Sequence, residues 1–161
     1  KGVKDTPKRV ANTYEELLSG YTADIEKIIN NALFDVEYDQ IVIVKNIRFY
    51  SLCEHHILPF FGKIDIGYLP NSKIIGLSKI PRITQVFSKR LQVQERLTEQ
   101  IGKAIFENTN ALGAGVVINA QHMCTSMRGV NMPSTEMVTS SLFGTFKSDD
   151  ATRKEFFDLI K

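Results

Sequence analysis

The sequence predicts an α+β fold: a four-stranded antiparallel sheet with a helix pair between its two hairpins, preceded by N-terminal helices. Two observations support this prediction. Segments of strand character, marked by β-branched runs or by alternation of apolar and polar residues, occur in two separated pairs. Between these pairs lie two apolar stripes at helical spacing. This order is typical of antiparallel hairpins whose sheet is covered by helices on one face.

Residues 1–34 are predicted to form the N-terminal helices. Asp5-Thr6-Pro7 indicates a helix start, because a capping side chain precedes a proline in the first turn. The apolar stripe of this helix consists of Val10, Tyr14, Leu17 and Leu18. A second helix is predicted from about Thr22 to Asn31, and residues 35–39 are predicted to be a polar connector.

Residues 40–161 are predicted to form the core of the same single domain, 1–161, beginning with a hairpin. Residues 40–53 include a β-branched run, and residues 63–68 alternate between apolar positions and positions that are polar or glycine. This alternation predicts one buried sheet face, to which the second strand contributes Ile64, Ile66 and Tyr68.

The remainder of the core is predicted to contain the helix pair and the second hairpin. Ser78 can cap the first central helix. A break near Gln92 is predicted because Leu91 and Val93 are about 200° apart on a helical wheel. The remaining elements are a loop at 108–115, strands at 116–128 and 138–146, and a short terminal helix capped near Asp149 or Asp150.

The predicted sheet has two unprotected edges. Open edges expose unpaired backbone groups and invite pairing with other chains. Pairing with neighbouring subunits would remove this hazard, so we expect a homo-oligomer with its sites near the subunit contacts.

Composition indicates a soluble globular protein. With 161 residues, 43% hydrophobic and 24% charged, the chain can bury one ordinary core. No apolar run approaches the roughly 20 residues of a membrane helix, and residues 1–5 lack the apolar stretch of a secretory signal. A net charge of +2 offers no large basic block for nucleic acid. We therefore expect a cytoplasmic protein without nucleic-acid or membrane partners.

Metal-binding residue types are concentrated in two distant fragments of the chain. Both cysteines and all three histidines lie in Cys53-Glu54-His55-His56 and His122-Met123-Cys124. Zinc gathers thiolate and imidazole ligands of this kind. Cys53 and His56 are three residues apart, so one tight turn could present both to the same ion. The sequence therefore predicts a zinc site.

The placement of these residues favours a catalytic zinc. Alternation along the third predicted strand places on one face His122, Cys124, Ser126 and Arg128. With Cys53, His56 and Cys124 as ligands, the fourth position stays open for water, as in catalytic sites. His55 and His122 then remain free to move protons.

Two other arrangements of the same residues remain open. A structural zinc would have a fourth protein ligand, either His55 or His122. A disulfide between the two cysteines would leave the flanking histidines unexplained and would be unusual in a chain that looks intracellular.

Polar residues between the two fragments suggest an anion site and a base-recognition site. Ser78, Lys79 and Arg82 lie at a predicted helix start, where backbone donors favour a phosphate, although a solvated helix start would look the same. At the helix break, next to Gln94, the carboxylate of Glu95 could accept two N–H bonds from a purine edge. An ordinary surface residue or an intrahelical ion pair is the alternative for Glu95.

Several longer segments resemble a known family. They are Asp5-Thr6-Pro7-Lys8-Arg9-Val10, Ser51-Leu52-Cys53-Glu54-His55-His56, Gly67-Tyr68-Leu69-Pro70-Asn71, Gly76-Leu77-Ser78-Lys79, residues 90–98 (RLQVQERLT), His122-Met123-Cys124 and Met127-Arg128-Gly129-Val130. Together they resemble the GTP cyclohydrolase I family over nearly the whole chain. The resemblance implies the tunnelling fold and assembly into toroids, typically decamers.

The resemblance also implies roles for individual residues. The implied zinc ligands are Cys53, His56 and Cys124, and the implied catalytic histidines are His55 and His122. The implied triphosphate contacts are Ser78, Lys79, Arg82 and Arg128, and the implied guanine contacts are Gln94 and Glu95. Family members place each site where subunits meet, so these residues need not converge within one chain.

The implied reaction converts GTP and water to formate and 7,8-dihydroneopterin triphosphate, the first step toward folate or biopterin. The chain departs from the family pattern at Thr125-Ser126, Ile80-Pro81 and Glu136, none of which is an implied ligand. Two alternatives within the same fold are the nitrile reductase of queuosine synthesis, which uses a cysteine nucleophile and NADPH, and a non-catalytic, zinc-stabilised oligomeric module.

Overall fold

The fold is a sheet with helices on both of its faces, seen in a computed structural model that describes residues 2–161. The helices in these residues are α1 (Thr6–Leu17), α2 (Ile25–Ile29), α3 (Lys79–Ser88), α4 (Gln94–Thr109), α5 (Met123–Ser126), α6 (Thr145–Ser148) and α7 (Asp150–Ile160). The strands are β1 (Leu33–Asp35), β2 (Val42–Cys53), β3 (Pro59–Leu69), β4 (Lys73–Ile75), β5 (Leu91–Gln92), β6 (Gly113–His122) and β7 (Glu136–Gly144). The longest helix, α4, has 16 residues, and no helix within 2–161 combines the length and hydrophobicity of a bilayer span.

The main sheet confirms the predicted pair of hairpins. Its order, within residues 2–161, is β5-β2-β3-β6-β7. The hairpins β2–β3 and β6–β7 are joined by antiparallel pairing of β3 with β6. The structure adds β5, a two-residue strand that pairs in parallel with the end of β2, and a small separate sheet of β1 and β4. Elements of two or three residues are too short to show a period, so the sequence did not reveal them.

The principal core lies between the sheet and the helix pair α3 and α4. The alternation along β3 is confirmed, because Ile64, Ile66 and Tyr68 are at most 1% exposed. They belong to one cluster with the buried helical residues Ile83 and Leu97. The break predicted near Gln92 is also confirmed, since α3 ends at Ser88 and α4 begins at Gln94.

Part of the opposite sheet face is covered as well, which corrects the expectation of helices on one face. Phe146 of α6 and Phe156 of α7 are fully buried there. Glycines on the adjacent strands leave room for these rings: a Cβ at Gly67 or at Gly115 would come within 2.7–2.9 Å of Phe156. Glycines on the sheet face opposite the principal core therefore form the groove in which the ring of Phe156 packs.

The N-terminal helices differ in extent from the prediction. Helix α1 begins at the expected place, although the Asp5 side chain makes no capping hydrogen bond. Every residue in α1 is at least partly exposed, and Val10 of its apolar stripe is 45% exposed. Helix α2 is shorter than the predicted 22–31. The Asp24 side chain accepts hydrogen bonds from two backbone N–H groups at its start, and Asn30 ends it in a left-handed conformation.

Three predicted segments in the second half of the core have other bounds: the loop after α4, the strand β6, and β7, which was predicted at 138–146 and spans Glu136–Gly144. Helix α4 continues to Thr109, and left-handed Asn110 ends it, so the predicted loop at 108–115 is shorter and β6 already begins at Gly113. At its other end β6 stops at His122, where the strand predicted to reach Arg128 turns into the short helix α5.

Gly62 offers a test of the β3–β6 pairing. A Cβ at Gly62 would lie 2.0 Å from the backbone oxygen of Asn119 on β6. Gly62→Ala is therefore expected to reduce the free energy of unfolding by about 1–3 kcal/mol or more, because a paired backbone cannot move away without losing its hydrogen bonds. Urea unfolding measures the change. Gly76→Ala is the control, since the nearest atom would lie at an ordinary 3.5 Å. Equal stability of the two variants would contradict this expectation.

Candidate active site

A tight loop after β2 brings two histidines to the first cysteine. The Cys53 N–H donates to the Leu58 carbonyl (2.9 Å), and the Ile57 N–H donates to the Cys53 carbonyl (2.8 Å). Ile57 adopts a left-handed conformation with φ 54°. The Cys53 Sγ lies 3.7 Å from Nδ1 of His55 and 4.0 Å from Nδ1 of His56.

The second cysteine reaches this loop through strand pairing. Phe60, near the start of β3, is paired with His122, the last residue of β6, so the loop before β3 lies beside the helix that follows β6. Among residues 2–161, Cys53, His56 and Cys124 offer ligand atoms that all lie within 4.8 Å of one another. This donor cluster could hold a metal ion.

The structural route to Cys124 differs from the predicted one. His122, Cys124, Ser126 and Arg128 were expected on one face of a strand; instead, only His122 belongs to the strand. Cys124 and Ser126 lie on α5, and Arg128 follows it. Convergence with Cys53 therefore results from a turn of helix and not from strand alternation.

The electrostatics of the cluster suit a cation. Burial, the charge of neighbouring Cys53 and a hydrogen bond with Cys53 raise the pKa of Cys124, and Arg128 has a smaller opposing effect. Two sulfurs this close ionise together only with difficulty unless a positive charge joins them, and a divalent ion supplies that charge. Two thiolates and an imidazole are a donor set that zinc favours.

Arg128 places a permanent positive charge at the edge of the donor cluster. Its Nη1 lies 3.3 Å from Nε2 of His56, the ring nitrogen opposite the one nearest Cys53. Arg128 is otherwise exposed to solvent. A guanidinium in this position can contact an anion that lies next to the cluster.

His122 is held by two neighbours. Its ring stacks on Phe60 at 4.6 Å between centroids with 2° between planes. Its Nε2 lies 2.7 Å from Oε1 of Gln94. The Gln94 Nε2 donates to the carbonyls of Ile118 (3.1 Å) and Met137 (2.9 Å). Because carbonyls only accept, the Gln94 amide oxygen must face His122, and His122 must donate from Nε2.

This arrangement leaves Nδ1 as the ring nitrogen of His122 that is free to exchange a proton. Burial lowers the pKa of His122 below its ordinary value, and the negative charge of Glu95 opposes this shift. The ring is therefore neutral at pH 7, with its proton on Nε2.

The residues predicted to contact guanine face different environments. Gln94 is 1% exposed, and its amide is committed to contacts within the chain. Glu95, the next residue in the first turn of α4, is exposed.

Of the residues predicted to contact phosphate, Arg128 lies beside the cluster, whereas the other three lie away from it within one chain. Ser78 is the N-cap residue of α3, Lys79 begins the helix and Arg82 is exposed on it. The opposite end of α3 leads to β5, which pairs with Cys53, and a helix of 10 residues is about 15 Å long. Within the described chain, no hydrogen bond or ion pair links these three residues to the donor cluster.

Two contacts at the site were not expected from the sequence. Phe60 was part of no prediction, although its stacking orients His122. Arg96 forms an ion pair with Glu54 of the metal loop, residues 54–58. An aromatic residue at a strand start and an arginine near a helix start are common, so neither carried a usable signal.

Comparisons with known proteins agree on one family. The model of the family described as GTP cyclohydrolase I matches residues 1–161. GTP cyclohydrolase 1 of a Campylobacter jejuni strain is 54% identical over 160 residues, which are 99% of this chain and 84% of that protein. GTP cyclohydrolase 1 of Leptospira biflexa is 55% identical over 161 residues, 100% of this chain and 88% of that protein. The counterpart of Coxiella burnetii is 50% identical over 161 residues with the same shares.

One solved structure confirms the predicted fold class. The crystal structure of the archaeosine synthase QueF-Like in the apo form matches with a TM-score of 0.55 and covers 67% of this chain and 97% of that chain. The two sequences are 13% identical, so the likeness shows the shared tunnelling fold alone.

Gln94→Leu tests the orientation of His122. In the unaltered protein at neutral pH, nitrogen–proton NMR correlation is expected to show His122 as one tautomer, protonated on Nε2. Leucine removes the acceptor and leaves the buried Ile118 carbonyl and the half-buried Met137 carbonyl without the amide donor. We therefore expect a tautomer mixture and a loss of about 1–3 kcal/mol in the free energy of unfolding. Gln85→Leu, at an exposed position on α3, is the control. A tautomer mixture already present before substitution would refute the assignment.

Proposed function

Because this chain belongs to the GTP cyclohydrolase I family, we propose that it converts GTP and water to formate and 7,8-dihydroneopterin triphosphate at a zinc centre. The single observation that best supports this reaction is the clustering of Cys53, His56 and Cys124 next to an oriented, neutral His122. We place the reaction in the cytoplasm, as the first step toward folate or tetrahydrobiopterin.

Cys53, His56 and Cys124 would hold the zinc ion. Three protein ligands leave one position open, as catalytic zinc requires. When bound, zinc would supply a Lewis acid that lowers the pKa of water toward neutrality for attack on the purine ring. The grouping of three donors within 4.8 Å, among residues 2–161, supports an open centre over a closed one.

His122 and His55 would move protons during hydrolysis. His122 starts neutral, so its Nδ1 can accept a proton from attacking water and pass it to a ring nitrogen of the purine. Phe60 and Gln94 keep the ring in place for this exchange. His55, whose side chain is 64% exposed, is a second carrier that solvent can reach.

The substrate would lie between Arg128 and Glu95. The guanidinium next to the donor cluster would hold the triphosphate, and the exposed carboxylate would accept N–H bonds from guanine. Ser78, Lys79 and Arg82 would contribute further phosphate contacts. These contacts bind atoms far from the reacting carbon and so position it.

A homo-oligomer, the decamer typical of the family, would complete the site. Within one chain, Ser78 and Lys79 lie at the end of α3 opposite to the end that leads to β5 and Cys53, so their phosphate contacts would be made to a site in a neighbouring subunit. The exposed apolar stripe of α1 and the edge strand β7 are surfaces that such a neighbour could cover.

A zinc-stabilised module without catalysis is the second candidate. Nδ1 of His55 lies 3.7 Å from the Cys53 Sγ, which favours His55 as a possible fourth ligand. A closed site of this kind would bind zinc and release no formate.

Formate release from GTP by the zinc-loaded protein tests the proposed function. Cys124→Ser is expected to lose zinc and turnover together. His122→Ala is expected to retain zinc and to lose turnover roughly 10²–10⁴-fold, as expected when a proton-transfer group is removed. Zinc content by elemental analysis and formate by enzymatic assay are the measurements. Zinc loss in both variants would make His122 a ligand, and zinc binding without formate would favour the structural module.

Arg128→Ala tests the phosphate contact. A hydrogen bond to a charged group contributes about 1.5–3 kcal/mol, so the KM for GTP is expected to rise roughly 10- to 100-fold with little change in zinc content. Arg48→Ala, an exposed arginine on β2, is the control. An unchanged KM in Arg128→Ala would remove this residue from the phosphate site.

A further inference from the structure

The break between α3 and α4 is attached to the end of strand β2. Leu91 and Gln92 form the short strand β5, which pairs in parallel with Leu52 and Cys53. The next residue, Glu54, donates its backbone N–H to the Gln92 carbonyl at 3.0 Å. The helix break therefore lies directly against the first residues of the metal loop.

The buried side chain of Gln92 holds the helix break in place. It is 1% exposed, and its Nε2 donates to the Phe87 carbonyl at 2.9 Å and to Oε1 of Gln100 at 2.8 Å. These two bonds use both amide protons and turn the amide oxygen toward Arg96, whose Nε donates to it at 3.1 Å.

Arg96 joins the buried amide to the metal loop. Its Nη2 forms an ion pair with Glu54, while its Nε remains on Gln92. The other oxygen of the Glu54 carboxylate lies 4.0 Å from Nε2 of His55. One guanidinium thus connects the rigid start of α4 with the residue that stands between Cys53 and the two histidines.

An ordinary surface ion pair would have little effect, and Arg96 and Glu54 are 42% and 33% exposed. This pair differs because one end of the guanidinium is tied to a buried, fully bonded amide. The planar guanidinium makes both contacts in one fixed geometry, whereas lysine offers a single freely rotating ammonium on a flexible stem.

We propose that Arg96, anchored by Gln92 and acting through Glu54, is a positioning residue that orients the metal loop and with it His55 and His56. This role rests on the zinc centre described under the proposed function. Outer contacts that orient metal ligands typically change metal affinity 10- to 100-fold when removed. Arg96 touches neither the donor cluster nor, in this role, the substrate.

The test compares Arg96→Lys and Glu54→Gln with a matched control, Arg153→Lys. Arg153 also forms an ion pair, with Asp150, and donates to a backbone carbonyl, but it lies on α7. Zinc affinity of the full chain is measured by competition with a chromophoric chelator. Hydrogen–deuterium exchange of the loop amides is measured separately in chelator-treated protein, so that this readout does not depend on zinc or on turnover.

We expect Arg96→Lys to weaken zinc binding about 10-fold and to accelerate exchange at Glu54 and Ile57. Glu54→Gln should have a similar effect, and the double variant should be no worse than either, because the two side chains act as one unit. Arg153→Lys should change exchange in α7 alone. In a protein that binds no zinc, the proposed function would fail, yet faster loop exchange in Arg96→Lys would still support positioning.

Two kinds of outcome would overturn the proposal. One is zinc affinity and loop exchange in Arg96→Lys within twofold of the unaltered protein; an altered KM for GTP in that case would mean that Arg96 contacts the substrate. The other is an equal effect of Arg153→Lys on the loop, which would indicate a general loss of stability.

Discussion

The pairing of β3 with β6 is the interaction on which the candidate site depends. It places Phe60 opposite His122 and so brings together the ends of two hairpins that are far apart in sequence. The loop before β3 and the helix after β6 then meet, and their sulfur and nitrogen donors come within 4.8 Å. A shift of this register by one residue would send the His122 side chain to the other face of the sheet. The same backbone ladder therefore determines both the core and the site.

The parts of the structure that could be predicted are those marked by residue type. Alternation identified the buried face of β3, and the concentration of cysteine and histidine identified the two fragments that contain Cys53, His56 and Cys124 before any geometry was known. The path of the chain to Cys124 could not be predicted, because α5 has four residues and is too short to show a helical period. The two-residue strand β5 escaped prediction for the same reason.

The hydrogen-bond network around the site could not be predicted from the sequence for a different reason. Gln94 donates to the backbone carbonyls of Ile118 and Met137, groups that every residue type possesses. No pattern of side chains indicates which backbone carbonyl a buried amide will bond. The network can be identified only once α4 and the β6–β7 hairpin are placed together, and it determines which nitrogen of His122 carries the proton.

The left-handed conformation of Ile57 bears on whether this donor set could be transferred to another protein. The left-handed conformation costs a β-branched residue roughly 1–2 kcal/mol, whereas glycine would adopt it without strain. The turn is thus imposed by the strands and by the helix break beside it. An excised peptide, or a graft onto a foreign hairpin, would relax toward extended backbone and separate the imidazoles from the sulfur. The transferable unit is the turn together with the segment that braces it.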